Sequence, residues 1–361
     1  MDNAVLIALI KVASTYLASA IIVLWTIPVI NHIARTKGLL NAPGERTSHR
    51  YKTPNLAGIA IYFGACVSVL FFVYDYLEIF KIVFLASTII FFIGLKDDII
   101  LVTPWKKLAV QIAVAVLIVM ANLRFESAFG LFGVEQFSEV ISVVVTIIFI
   151  VSIINAVNLI DGVDGLAASI GSLILGCFGL FFFINGLYSW SIYCAGFLGA
   201  LAVFFLYNVF GLRNKTFMGD SGSLLLGLTI AVTTILFWET NANKDFSLTF
   251  INAPAITLAV IIIPVFDVVR VFAYRIVRRT SPFSADRNHL HHRLTDIGFT
   301  HFQTTMILTA FNTLMIVAAL AFSLFLGTIW TAVVLVVLAL FCVFWINRVY
   351  LRKKSTGGVK V

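Results

Sequence analysis

Long apolar runs, broken by short polar clusters, set the pattern of this chain. Runs long enough to cross a bilayer fall at about 4–30, 55–73, 79–95, 107–123, 138–157, 166–186, 191–209, 222–238, 252–273, 305–325 and 328–346. They predict an all-α, polytopic membrane helix bundle of about eleven transmembrane helices, with the two termini on opposite sides. No polar stretch is long enough to build a separate soluble domain, so residues 1–361 read as a single integral-membrane domain. The first run follows Asp2 without a basic leader and reads as a retained span rather than a cleaved signal peptide.

Composition agrees: the 361 residues are 61% hydrophobic and 12% charged, with a mean hydropathy of +1.04. The formal net charge of +8 raises the question of nucleic acid, and its distribution answers it. With the N-terminus outside, 20 of the 25 Lys and Arg fall on inner segments, and only Arg124 and Lys244 fall on outer loops. That satisfies the positive-inside rule and puts the C-terminus in the cytoplasm. The basic residues set topology and meet anionic headgroups of the lipid bilayer, so no nucleic-acid partner is expected. Cys66, Cys177, Cys194 and Cys342 stand singly in apolar runs, which supports neither a disulfide framework nor a thiolate metal site.

The polar clusters share one side of this map. Inner loops at about 31–54, 96–106, 158–165, 210–221 and 274–304 hold every acidic or histidine cluster, although the charge count used neither residue type. The densest is Asn155-Ala156-Val157-Asn158-Leu159-Ile160-Asp161-Gly162-Val163-Asp164-Gly165-Leu166. Acids in such a setting are expensive and mark function by default. The glycine after each aspartate predicts a helix end opening into turns, which brings Asp161 and Asp164 to one pocket.

Asp97-Asp98 is a pair of adjacent carboxylates, suited to a general base or to a divalent cation. Lys106 and Lys107 follow closely, and acids beside lysines suit a phosphate-ester substrate. Met218-Gly219-Asp220-Ser221-Gly222 precedes an apolar helix. Its small residues allow an anion at the helix start, or Asp220 caps that helix. Asp161, Asp164 and Asp220 offer oxygen ligands without thiolates, which favours Mg²⁺ or Mn²⁺ over zinc. His289, His291 and His292 lie between Arg287 and Arg293. The histidines alone suit zinc, and the flanking arginines favour phosphate oxygens. The polar loop at 41–50 either lines the same site or rests on headgroups.

These motifs, from Asn41-Ala42-Pro43 and Arg46-Thr47-Ser48-His49 to His289-Leu290-His291-His292, resemble the polyprenyl-phosphate N-acetylhexosamine-1-phosphate transferases, the group with WecA-type and MraY-type enzymes. The resemblance covers nearly the whole chain. It implies a bundle of ten or eleven helices that transfers a sugar-1-phosphate from a UDP-N-acetylhexosamine to undecaprenyl phosphate and releases UMP. It also implies a requirement for Mg²⁺ or Mn²⁺. Asp97 and Asp98 match the family's paired aspartates, one of which is held to deprotonate the lipid phosphate or to attack as a nucleophile. Asp164 and Asp220 match metal positions, and Asn158 and Asp161 match neighbouring pocket residues. Lys107 is similar to the phosphate-binding lysine. His289, His291, His292 and Arg293 match the loop over the nucleotide-sugar, with Arg287 beside them. Leu290 interrupts the histidine run, as in the branch that uses simple sugars, typically UDP-N-acetylglucosamine.

The resemblance places the site on the cytoplasmic face of a bacterial inner membrane, at the first membrane step of cell-surface polysaccharide synthesis. A homodimer is an open expectation. Two alternatives are a phospho-MurNAc-pentapeptide transferase of the same family and an ion-coupled transporter. A transporter would hold its acids near the bilayer midplane on broken helices. Here they gather at inner span ends, and Asp267 with Arg270 reads as a structural pair.

Overall fold

The computed structural model describes residues 3–39, 53–73, 77–211, 214–243, 245–277 and 289–355. Each apolar run folds as helix. The order is α1 (Asn3–Thr36), α2 (Ala57–Phe72), α3 (Leu77–Ile99), α4 (Pro104–Met120), β1 (Ser127–Leu131), β2 (Val134–Gln136), α5 (Glu139–Ile160), α6 (Leu166–Ile184) and α7 (Tyr188–Phe210). Then come α8 (Gly219–Ala242), α9 (Ala253–Val260), α10 (Ile262–Val277), α11 (Leu290–Ile297), α12 (His301–Phe322) and α13 (Thr328–Ser355). Among the described residues, eight helices are long and apolar enough to cross a membrane: α1, α3, α5, α6, α7, α8, α12 and α13. Helices α2 and α4 are shorter, at 16 and 17 residues.

Three features depart from the simple pattern. The run at 252–273 is not one straight span, because α9 and α10 meet at 80°. Pro264, in the first turn of α10, has no N–H to carry the α9 ladder through. The histidine loop contains a helix, α11. At the end of the bundle away from the acids, β1 and β2 form an antiparallel hairpin. It is fixed by Glu239, which accepts from the amides of Glu126 (2.9 Å) and Ser127 (3.3 Å), and by the Trp238 Nε1–H, which donates to the Ser127 carbonyl. Gly130 and Gly133 take positive φ in its turn.

Helix α8 is the axis of the bundle, and 89% of its spanning window is buried against other helices. The threonines along its middle donate within the helix. Thr229 and Thr234 donate to the carbonyls of Leu225 and Ile230, as an apolar surround requires. A Cβ on Gly227 would stand 2.6 Å from Ile154 Cα, so glycine sets the close approach of α5 to α8. One apolar core runs from Val23 on α1 to Ile346 on α13, and it holds the ends of α3, α5 and α8 in fixed relation.

Candidate active site

The start of α8 explains the site. Four glycines let it nest between α2 and α3. A Cβ on Gly58 would lie 2.3 Å from the Gly222 nitrogen, and one on Gly94 would lie 2.6 Å from backbone atoms of Asp220 and Ser221. Gly219 has φ +71° and faces Asn55 and Asp98, and Gly222 packs on Met218. In this cradle Asp98, on the last turn of α3, reaches the exposed amides of α8. Its Oδ1 accepts from the Asp220 N–H (2.8 Å), and its Oδ2 accepts from the Ser221 N–H (3.0 Å) and hydroxyl (2.6 Å). Asn55 Nδ2 donates to Asp98 Oδ1 at 3.3 Å. Asp98 is thus the carboxylate cap of another helix, where negative charge meets the positive end of the dipole. Asp220 is not that cap; it is freed to project from the first turn of α8.

Asp97 turns the other way. Its Oδ2 accepts from Lys107 Nζ (3.0 Å) and its Oδ1 from the Val102 N–H (2.5 Å). Lys107 also pairs with Asp220 Oδ2, so one ammonium joins acids of α3 and α8. Asn158 Nδ2 donates to Asp220 Oδ1 (3.1 Å) and Ser223 Oγ (2.8 Å) and fixes that carboxylate. Asn155, three residues earlier, faces away and exchanges amide hydrogen bonds with Gln111 of α4.

After Ile160 the chain leaves α5 in turns, as the Asp-Gly pairs predict. Gly165, at φ +79°, starts α6. A Cβ there would meet Phe205 and Val209 at 2.7 Å, and its N–H donates to Asn208 Oδ1. The turn brings Asp161 within the field of Asp98, Asp164 and Asp220. Among the described residues no group donates a hydrogen bond to its carboxylate. Burial and those three neighbouring carboxylates hold its carboxyl well above the usual carboxylate range. Asp164 instead accepts from Lys215 Nζ (2.6 Å) and pairs with His301 Nδ1 (3.1 Å) at the start of α12.

Helix α11 carries the histidines. Asp267 accepts at its start from the Leu290 N–H (3.0 Å), holds His289 Nδ1 (2.9 Å) and pairs with Arg270 (2.8 Å). The structural pair read from sequence is present, and it anchors the histidine helix. His291 is buried, with its Nε2 toward Gly162 and no hydrogen-bond partner for that atom. Burial and the adjacent His292 push its imidazole down to about 3. The His291 and His292 rings are 4.3 Å apart. Arg293 faces α13, where it donates to Asn347 Oδ1 and lies 5.4 Å from the Tyr350 ring centre.

The structure therefore joins Asp97, Lys107, Asn158 and Asp220 directly, with Asp98 behind them and Asp161 beside them. His291 touches the same turn through Gly162. Arg287 and the 41–50 loop lie outside the described residues. The paired acids belong to the last turn of α3 rather than to the loop after it, because the helix runs on to Ile99. Sequence reasoning overlooked Lys215 and His301 as partners of Asp164, and Asn55 and Ser221 as partners of Asp98. Lys215, five residues before Asp220, was visible as a basic residue beside an acidic motif; His301 gave no local signal.

Among the described residues no three His, Cys, Asp or Glu side chains form a ready-made metal cage. The all-oxygen donors Asp97, Asp161 and Asp220 still suit Mg²⁺, which is commonly held by one or two carboxylates together with substrate phosphates.

Comparison with known proteins gives the same family from another direction. A model described as glycosyl transferase family 4 matches residues 80–238, the stretch with all five aspartates and Lys107. The undecaprenyl-phosphate alpha-N-acetylglucosaminyl 1-phosphate transferase of Escherichia coli O157:H7 is 30% identical over 284 residues, 77% of this chain and 74% of that one. The Salmonella typhi protein of that name is 29% identical over 309 residues, 84% and 81% of the two chains. A probable undecaprenyl-phosphate N-acetylglucosaminyl 1-phosphate transferase of Bacillus subtilis is 29% identical over 334 residues, 91% and 89%.

Proposed function

Because this chain belongs to glycosyl transferase family 4, we propose that it transfers N-acetylglucosamine-1-phosphate from UDP-N-acetylglucosamine to undecaprenyl phosphate at the cytoplasmic face of a bacterial inner membrane. One observation carries the reading: carboxylates of α3 and α8 share a single lysine at one end of a membrane bundle, with Asp161 at the end of α5 beside them. A phosphate oxygen of the acceptor attacks the sugar-bearing phosphorus of the donor. The bond from that phosphorus to the bridging oxygen breaks, and UMP leaves. The names of the relatives support the acceptor and the sugar.

Within that reaction Asp97 takes the acceptor proton or holds the deprotonated phosphate through Lys107. Asp98 fixes α8, and Asn158 fixes Asp220. Asp220 would hold Mg²⁺ or Mn²⁺ together with the donor diphosphate, with Asp161 beside it in place of the Asp164 read from sequence, whose carboxylate is engaged by Lys215 and His301; the ion would supply charge neutralisation on the phosphates. Two anionic substrates meeting five carboxylates need such a cation, because two lysines leave the site with excess negative charge. The imidazole of His291, on α11, lies beside the Asp161–Asp164 turn, where a nucleotide-sugar would be covered.

The test is release of UMP by the purified protein from a panel of UDP-sugars with undecaprenyl phosphate, with and without EDTA. UMP release from UDP-N-acetylglucosamine that needs both the lipid and the metal is expected. Inactivity with every sugar in a folded preparation, or full activity in excess EDTA, would remove the acceptor assignment or the metal respectively.

A further inference from the structure

The segment joining α3 to α4 behaves unlike a loop in water. Ile99, Ile100, Leu101 and Trp105 are 48%, 65%, 94% and 76% exposed, although loops facing water are ordinarily polar. The apolar side chains of α11, in the histidine segment, do the opposite: Leu290, Leu294 and Ile297 are all buried against protein. Lys96 and Lys106 flank the segment and are exposed. It joins the site end of the spanning helix α3 to the start of α4, where a chain leaving a span reaches the edge of the hydrocarbon layer.

We propose that residues 99–105 form an interfacial anchor that beds in the anionic headgroup layer and holds Asp97 at the depth of a lipid phosphate. Tryptophan favours that layer, and flanking lysines meet anionic lipids there. The link to the site is direct. The Val102 N–H, inside the anchor, donates to Asp97 Oδ1, and Lys107, two residues beyond Trp105, donates to Oδ2. The amides of Lys106 and Lys107 both close on the Thr103 carbonyl, at 3.0 and 3.2 Å, so anchor and first turn of α4 form one unit. The depth of the anchor therefore sets the depth of the acid. The coupling to an acceptor phosphate rests on the proposed function; contact with the bilayer does not.

Two measurements separate these parts. The first places an environment-sensitive fluorophore on Leu101→Cys in full-length protein in phosphatidylethanolamine–phosphatidylglycerol vesicles. The unsubstituted protein gives the background from its four native cysteines. Blue-shifted emission, quenched more by lipids brominated near the headgroup than by lipids brominated at the chain end, is expected. Water-like, unquenched emission, or emission shielded from water yet insensitive to brominated lipid as a protein partner would produce, overturns the anchor. The second compares the Ile100→Ser, Leu101→Ser double variant with wild type. KM for undecaprenyl phosphate in vesicles should rise by about tenfold. Turnover of a short-chain, water-soluble acceptor in detergent should change by less than about twofold. An unchanged KM in vesicles, with the fluorophore at the interface, overturns the coupling to Asp97 while leaving the anchor. Absence of transferase activity in wild type overturns the proposed function and with it the coupling, and the fluorescence result still decides the anchor.

Discussion

Replacing Asp98 by Asn and Asp97 by Asn should give opposite phenotypes, although the two acids are adjacent and chemically identical. Asp98 accepts from two amides and a hydroxyl at the start of α8 and from Asn55. Asparagine offers one oxygen and one NH₂, so at least one α8 amide must face a donor. The loss comprises a charged hydrogen bond, an unsatisfied buried N–H and the favourable helix-dipole contact, together about 3–5 kcal/mol. The Asp98→Asn protein should melt several degrees lower. Asp97 is tied to Lys107 in a partly open ion pair, with side chains 14% and 20% exposed. Such a pair contributes about 1 kcal/mol or less, so Asp97→Asn should melt near wild type. Its turnover should nevertheless fall by roughly two to four orders of magnitude if Asp97 is the base. Thermal unfolding in detergent, with UMP release from UDP-N-acetylglucosamine on the same samples, measures both. A stable Asp98→Asn beside an unstable Asp97→Asn would refute the division of labour, as would wild-type turnover in Asp97→Asn.

Asp161, whose folded-state carboxyl is held above its unfolded value, contributes stability at low pH that is lost as pH rises through the folded value. Asp161→Asn should therefore melt higher than wild type at neutral pH without metal, lose that advantage near pH 4, and bind Mn²⁺ more weakly by paramagnetic resonance; equal melting temperatures at neutral pH would contradict the buried charge. His291, pushed down to about 3, has the reverse sign: the unfolded chain takes its proton first, near 6.5, so stability falls between pH 6.5 and 3. His291→Gln should flatten that acid limb in a pH series of melting temperatures, and an unchanged limb would exclude His291 as its source. Gly94→Ala puts a methyl 2.6 Å from the backbone of Asp220 and Ser221, so it should cost about 1–3 kcal/mol and lower expression of folded protein; wild-type stability would mean that α8 is free to shift.

Much of the fold was legible because a bilayer reads length and hydropathy, and both are local properties of sequence. The α5–α6 turn was legible too, because Asp-Gly pairs at 161–162 and 164–165 state their own geometry. The break between α9 and α10 was not foreseen: hydropathy continues through Ile261, Ile262 and Ile263, and only the ladder notices that Pro264 lacks an N–H. The hairpin at 127–136 was equally hidden, since its anchor is Glu239, more than a hundred residues away.

The site divides along the same line. Which residue types gather at the inner span ends followed from their rarity in an apolar chain. Which acid does what did not, because each role is set by a partner on another helix. Asp98 and Asp267 are both spent as caps, one for α8 and one for α11, and each leaves its target helix free to present other side chains: Asp220 in one case, His291 and His292 in the other. A cap borrowed from a distant helix fixes the height and rotation of the helix that it holds, because the exposed amides of a first turn point along the axis. Asp220 and the imidazoles are thereby placed by side chains that need never touch a substrate. Mutational loss of activity at Asp98 or Asp267 would therefore look catalytic in an activity assay alone, and only a paired stability measurement distinguishes the two meanings.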